Sequence, residues 1–174
     1  MRNKSIILII CLLCFAACHN NTPKKVAKIT TPKITGDTLQ EFMRKSDSIV
    51  LISHIELIIS PPNPKTGQID SSSLLFFKNK LNNKLVTKAK KLSSLEVLML
   101  GNLLDEDVVD DVSYAHCFIP RNTILAYRNS LIYYIDVCFE CKGLDVVGFP
   151  LTPTMSNIKY NRLQEFFESQ GVLE

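Results

Sequence analysis

Ile124-Leu125-Ala126-Tyr127-Arg128-Asn129-Ser130-Leu131-Ile132-Tyr133-Tyr134-Ile135-Asp136-Val137-Cys138-Phe139 is the stretch from which the fold is read. Two runs rich in β-branched, aromatic and aliphatic side chains flank Asn129-Ser130, so the stretch reads as a β-hairpin with a tight turn. In the second run Leu131, Tyr133, Ile135, Val137 and Phe139 share one face and belong to the core. Ile132, Tyr134, Asp136, Cys138 and Glu140 form the mixed face behind it. A two-residue turn sets Leu125 opposite Tyr134 and Arg121 opposite Cys138. Carried further, the register brings Cys117 opposite Lys142 and next to Cys141, although Pro120 cannot donate to a ladder and bends the strand on the way. Three thiols are thus expected near one another at the open end of the hairpin.

Upstream, Asp37 to Arg44 reads as a short helix with Leu39, Phe42 and Met43 on one side. Ile49 to Ile59 is a strand whose odd positions face the core, leaving His54 and Glu56 on the other face as a partly exposed pair with no identifiable third partner. A Pro-rich loop follows from Ser60 to Gly67. Between Leu74 and Leu92 helical spacing competes with a charged edge strand, and the strand is placed at about Lys84 to Lys90. Ser93 and Glu96 have capping-box spacing and open a helix through Leu95, Leu98, Met99 and Leu103, apolar most of the way round and expected to be well buried. The acidic run from Asp105 to Asp111 is not an EF-hand loop: Asp110 stands where Gly is needed and His116 where Glu is. It is read as a solvated loop.

Beyond the hairpin, Leu144 to Phe149 is another short strand, stopped by Pro150 and Pro153. Ser156 or Asn157 caps a last helix with Tyr160, Leu163 and Phe167 as its apolar stripe and Gly171 as its stop. The pattern is a single α+β domain: an antiparallel sheet of four or five strands with two main helices.

The N-terminal region carries an address. Arg2 and Lys4 precede 12 apolar residues, Ile6 to Ala17, which match a secretory signal and fall short of the roughly 20 that span a bilayer. Phe15-Ala16-Ala17-Cys18 resembles the lipobox of bacterial lipoprotein precursors, with Phe15 where that family favours Leu. The resemblance implies a diacylglycerol thioether on Cys18, cleavage just before it, and acylation of the new amino terminus with a chain such as palmitate. The chain divides accordingly into a signal peptide (1–17), a lipidated cysteine with a flexible Lys- and Pro-bearing tether (18–36) and the domain (37–174). The expected location is the cell envelope, periplasmic or surface-exposed, with the membrane as a partner through the lipid. His19 is not the acidic residue associated with inner-membrane retention, which favours onward transport.

The net charge of +3 belongs to the N-terminal region: residues 37–174 hold 14 basic and 17 acidic side chains. A domain at −3 without a clustered basic face has no footprint for nucleic acid. No Ser/His/Asp set, phosphate-binding Gly-rich loop or pair of catalytic carboxylates stands out, and the histidines are His19, His54 and His116 alone. A non-catalytic binding or structural module is the preferred reading, with a protein or small-molecule partner that the sequence does not identify.

Cys11 and Cys14 leave with the signal and Cys18 takes lipid, so the domain keeps Cys117, Cys138 and Cys141. The structural reading is a disulfide, Cys117 to Cys141 or Cys138 to Cys141, or simply packed thiols at the base of the hairpin; the longer loop of about 25 residues would contribute roughly 3 kcal/mol. A redox reading uses Cys138 and Cys141 as a Cys-x-x-Cys pair, but Leu144 to Val147 looks like strand where thioredoxin-like proteins have a helix. A metal reading gives zinc the three cysteines with His116 or His54, without the usual second half-site. The stretch Cys117 to Lys142 is similar to a group of small bacterial lipoproteins that pair Cys-x-x-Pro-Arg with Cys-Phe-x-Cys. That resemblance implies no activity and marks Arg121 as a matched position that supports the cluster.

Overall fold

The computed structural model describes residues 36–57, 65–67, 70–107 and 117–173. Its elements in order are α1 (Leu39–Arg44), β1 (Ser48–His54), a 3-10 turn (Ser71–Ser73), β2 (Phe76–Phe77), β3 (Lys80–Leu81), β4 (Val86–Lys91), α2 (Ser94–Asp105), β5 (Asn122–Arg128), β6 (Leu131–Cys138), β7 (Gly143–Val147) and α3 (Asn157–Ser169). Five strands form one antiparallel sheet in the order β4-β1-β5-β6-β7, and β2 and β3 form a separate small hairpin. The domain is α+β.

The central hairpin has the register read from the sequence, Leu125 opposite Tyr134 and Asn122 opposite Val137. Asn129 and Ser130 both have positive φ, 52° and 62°, the twist that a two-residue hairpin turn imposes. Tyr133, Ile135 and Val137 enter the main core with Phe42, Leu100, Phe149, Leu163 and Phe167. There the Phe42 ring meets Tyr133 edge-on at 5.3 Å and lies 4.8 Å from Phe149.

The other face of the sheet is not a solvent face. Ile52, Leu125 and Ile132 are buried there beneath Leu75 and Phe76, and the Phe76 ring stacks on Tyr134 at 4.2 Å. The covering β2–β3 hairpin turns at Lys78 and Asn79, with φ of 48° and 58°. Asn79 clips it to the central turn: its amide donates to the Ser130 carbonyl at 3.0 Å and its carbonyl accepts from Ile132 N–H at 2.9 Å.

Burial on both faces overturns the reading of His54 and Glu56 as a partly exposed pair. His54 is fully buried, whereas Glu56 lies beyond the strand end on the surface, 2.8 Å from the Arg121 guanidinium. β1 stops at His54, where its pairing with β4 shifts register; Ile58 and Ile59 lie outside the described residues. The charged edge strand forms as Val86–Lys91, its lysines outward at a sheet edge, where charge discourages pairing with another chain.

Helix α2 carries the expected capping box between Ser93 and Glu96, yet it is not well buried. Leu100, Gly101 and Leu104 face the domain, and Leu95, Leu98 and Met99 are exposed. The helix meets its neighbours along one line only. A Cβ on Gly101 would stand 3.1 Å from the Gln40 Cα, so the missing side chain lets α1 approach. Gln40 N–H also donates to Asp105 at 3.0 Å. Asp37 anchors the start of α1, its carboxyl held below the ordinary aspartate value by hydrogen bonds from Lys45 and then Arg128.

α3 begins at the Ser156 cap, packs Tyr160, Leu163 and Phe167 inward and ends before Gly171 at φ 68°. Lys159, in its first turn, is buried, and its ammonium donates to the carbonyls of Leu104 (2.8 Å), Glu106 (2.7 Å) and Thr154 (2.6 Å). These include the end of α2, where carbonyls lack helical partners. Burial pushes the Lys159 pKa below the ordinary lysine value, opposed by Asp107, Glu106 and Asp105. Among the described residues no helix is long and apolar enough to cross a membrane.

Candidate functional site

At its open end the central hairpin hands over to a second tight turn. Cys138 pairs with Gly143 across β6 and β7, and residues 139–142 make the connection, with Lys142 at φ 50°. Cys138 and Cys141 close this turn as a disulfide, Cα atoms 5.5 Å apart, and both are buried. Cys141 N–H also points at Cys138 Sγ, 3.2 Å away.

The Cys-x-x-Cys spacing is therefore that of a hairpin turn, followed by a strand. Among the described residues no helix begins at this turn to favour a thiolate, as it does at the Cys-x-x-Cys of thioredoxin-like proteins. Of the two pairings weighed for a disulfide, Cys138 with Cys141 is the one formed. A loop this short contributes about 2 kcal/mol in the chain-entropy model, against roughly 3 for the longer one.

Cys117 is exposed and outside the disulfide. The strand that was to bring it opposite Lys142 begins only at Asn122, so the cross-strand register does not reach the thiol. Its neighbour Phe118 does reach the turn. A Cβ on Gly143 would fall 2.6 Å from Phe118 Cδ2 and 3.3 Å from Cys141 Sγ, so the ring lies over this glycine beside the disulfide. His116 lies outside the described residues, and so does most of the acidic loop. Among the described residues no group of three or more His, Cys, Asp or Glu side chains is placed to hold a metal ion.

Beside the disulfide is a cavity of about 130 Å³, lined among the described residues by Ser53, Ile119, Arg121, Asn122, Cys138, Phe139, Glu140, Gln164 and Leu173. It joins the end of β1, the start of β5, the β6–β7 turn, α3 and the C-terminal segment. Ser53 and Asn122 are paired across β1 and β5 and are both buried. The Ser53 hydroxyl shares its proton between Asn122 Oδ1, 3.0 Å away, and the Val172 carbonyl, which ties the C-terminal segment to the sheet.

Arg121 and Cys138, one position beyond the last observed pair of the hairpin, Asn122 with Val137, both line this cavity. Ser53, Asn122 and Gln164 escaped the sequence reading. Ser53 and Asn122 are short polar side chains inside apolar strands, and that mismatch was the one available signal for them. Gln164 faces the cavity from a helix whose apolar stripe alone was legible.

Comparison with protein-family models, with curated proteins and with solved structures returns no match for this chain.

Proposed function

We propose that this chain is a lipid-anchored protein of the cell envelope whose α+β domain is a non-catalytic binding module, with the cavity beside the Cys138–Cys141 turn as its binding site. The observation that carries the binding assignment is that cavity, in which buried polar side chains and a disulfide wall meet two opposite charges at the mouth. Small-molecule sites have this make-up, a largely preformed concavity with a few placed polar groups. The envelope assignment draws support from the lipobox-like Phe15-Ala16-Ala17-Cys18 after its apolar run. A buried disulfide also suits an oxidising compartment. Acyl chains on Cys18 would hold the domain at the membrane, each buried CH₂ contributing about 0.8 kcal/mol.

Phase partition in detergent tests the anchor. Expressed in a bacterial host, the full chain should enter the detergent-rich phase, and Cys18→Ser should move it to the aqueous phase or trap it with its signal attached. Equal partition of both as processed proteins would sink the lipid assignment.

A further inference from the structure

Asn122 makes a bond that leaves half of its amide unspent. The residue is more than nine-tenths buried and lines the cavity. Its carbonyl oxygen accepts from Ser53 Oγ, while its NH₂ group donates to none of the described residues. That NH₂ is not sealed off from solvent: it opens on the cavity that the residue lines, where an acceptor on a ligand can take the place of water.

The remaining polar groups sort by sign. Arg121 gives one guanidinium nitrogen to Glu56 at 2.8 Å, and its other N–H groups remain as donors. Across the cavity Glu140 has no cationic partner among the described residues. Gln164 donates through Nε2 to Glu168 at 3.3 Å, which leaves its carbonyl as an acceptor. Ile119, Phe139 and Leu173 supply apolar wall between the two sets.

We propose that the cavity binds an amino-acid-sized zwitterion. The carboxylate accepts from Asn122 Nδ2 and Arg121, the ammonium donates to Glu140 and the Gln164 carbonyl, and a short aliphatic side chain lies against Ile119, Phe139 and Leu173. A bare anion would meet Glu56 and Glu140 as well as Arg121, and a bare cation would leave the Asn122 donor unmet. Only a ligand carrying both signs answers both sets. Size agrees: a cavity of about 150 Å³ takes a benzene-sized group, and this one, about 130 Å³ and open to solvent, takes a small aliphatic amino acid. The inference rests on the binding-module reading and adds its ligand class.

Ligand-observed NMR on the full chain in detergent micelles tests it, with L-alanine, L-valine and L-leucine as probes. At least one should bind saturably. For leucine, 4-methylpentanoate lacks the ammonium and 3-methylbutylamine lacks the carboxylate, and each should bind about tenfold or more weakly, the loss expected for one charge-assisted hydrogen bond. Asn122→Leu, Arg121→Gln and Glu140→Gln should each weaken the amino acid by about tenfold on the same ground. If Asn122→Leu does not fold, the two exposed substitutions carry the test. No binding by any of the three amino acids, analogues that bind as well as the parent, or variants that bind unchanged would overturn the ligand class. Cys18-dependent partition into detergent would survive that failure, so the anchored reading is tested separately.

Discussion

Replacing Lys159 with Met is expected to destabilise the domain by about 3 kcal/mol and to lower its melting temperature by roughly 10 °C. Lysine in the first turn of a helix opposes that helix's own dipole, and Lys159 is at such a place in α3. Its ammonium compensates elsewhere, by donating to the carbonyls of Leu104 and Glu106, where α2 ends, and of Thr154, just before the α3 cap. A cation at a helix C-terminus is favourable, and the buried carbonyls have found a donor. Methionine keeps the length of the side chain and removes the donor, which leaves three carbonyls to be satisfied at about 1–3 kcal/mol each. Removing a charge that was costly to bury offsets part of that, so the net loss falls well below the sum. Urea denaturation with an unchanged slope would read the loss directly. A change below about 1 kcal/mol would mean that water serves the carbonyls as well as the ammonium does.

Phe42→Ala should cost about 4 kcal/mol, near the middle of the range for emptying a buried aromatic site. A helix of six residues is not stable by itself, so α1 depends on what it packs against. Phe42 is fully buried and holds two rings, Tyr133 from the central hairpin and Phe149 from the segment after β7. The Arg128 guanidinium lies 5.2 Å from its ring centre and adds about 0.5–1 kcal/mol. Thr38 still caps the helix in the variant, so the loss reports packing alone. Equilibrium unfolding gives the number, and a cost under about 2 kcal/mol would mean that α1 is not a working part of the core.

The residues that could be read from sequence were those whose local and long-range demands agree. Asn129-Ser130 wanted a turn, the rows on either side wanted opposite faces, and the hairpin satisfied both; its pairing ends at Asn122 opposite Val137, one pair short of Arg121 and Cys138, which line the same cavity. The lysines of β4 announced an edge, and Ser93, Glu96 and Ser156 announced helix starts through hydrogen bonds that need no distant partner. His54 and α2 failed for one reason: alternation and apolarity describe a face but not what covers it. The second face of the sheet is covered, so His54 is buried, and α2 has contacts along one line only, so Leu95, Leu98 and Met99 are exposed. Lys159 reads as surface by residue type, and a lysine in a first helical turn was the faint sign against that. In the site, Arg121 and Cys138 followed from extending that pairing by one position, whereas Ser53 and Asn122 became visible only once β1 and β5 were side by side.

The measurement that bears most directly on an envelope module with a locked hairpin turn is intact-mass spectrometry. The full-length chain would be recovered from bacterial membranes and alkylated under denaturing conditions with and without reductant. The predicted product begins at Cys18 with its lipid and acyl groups attached, and takes one label at Cys117 without reductant and three labels with it. A product that retains residues 1–17, carries no lipid on Cys18, or takes three labels without reductant would contradict the account.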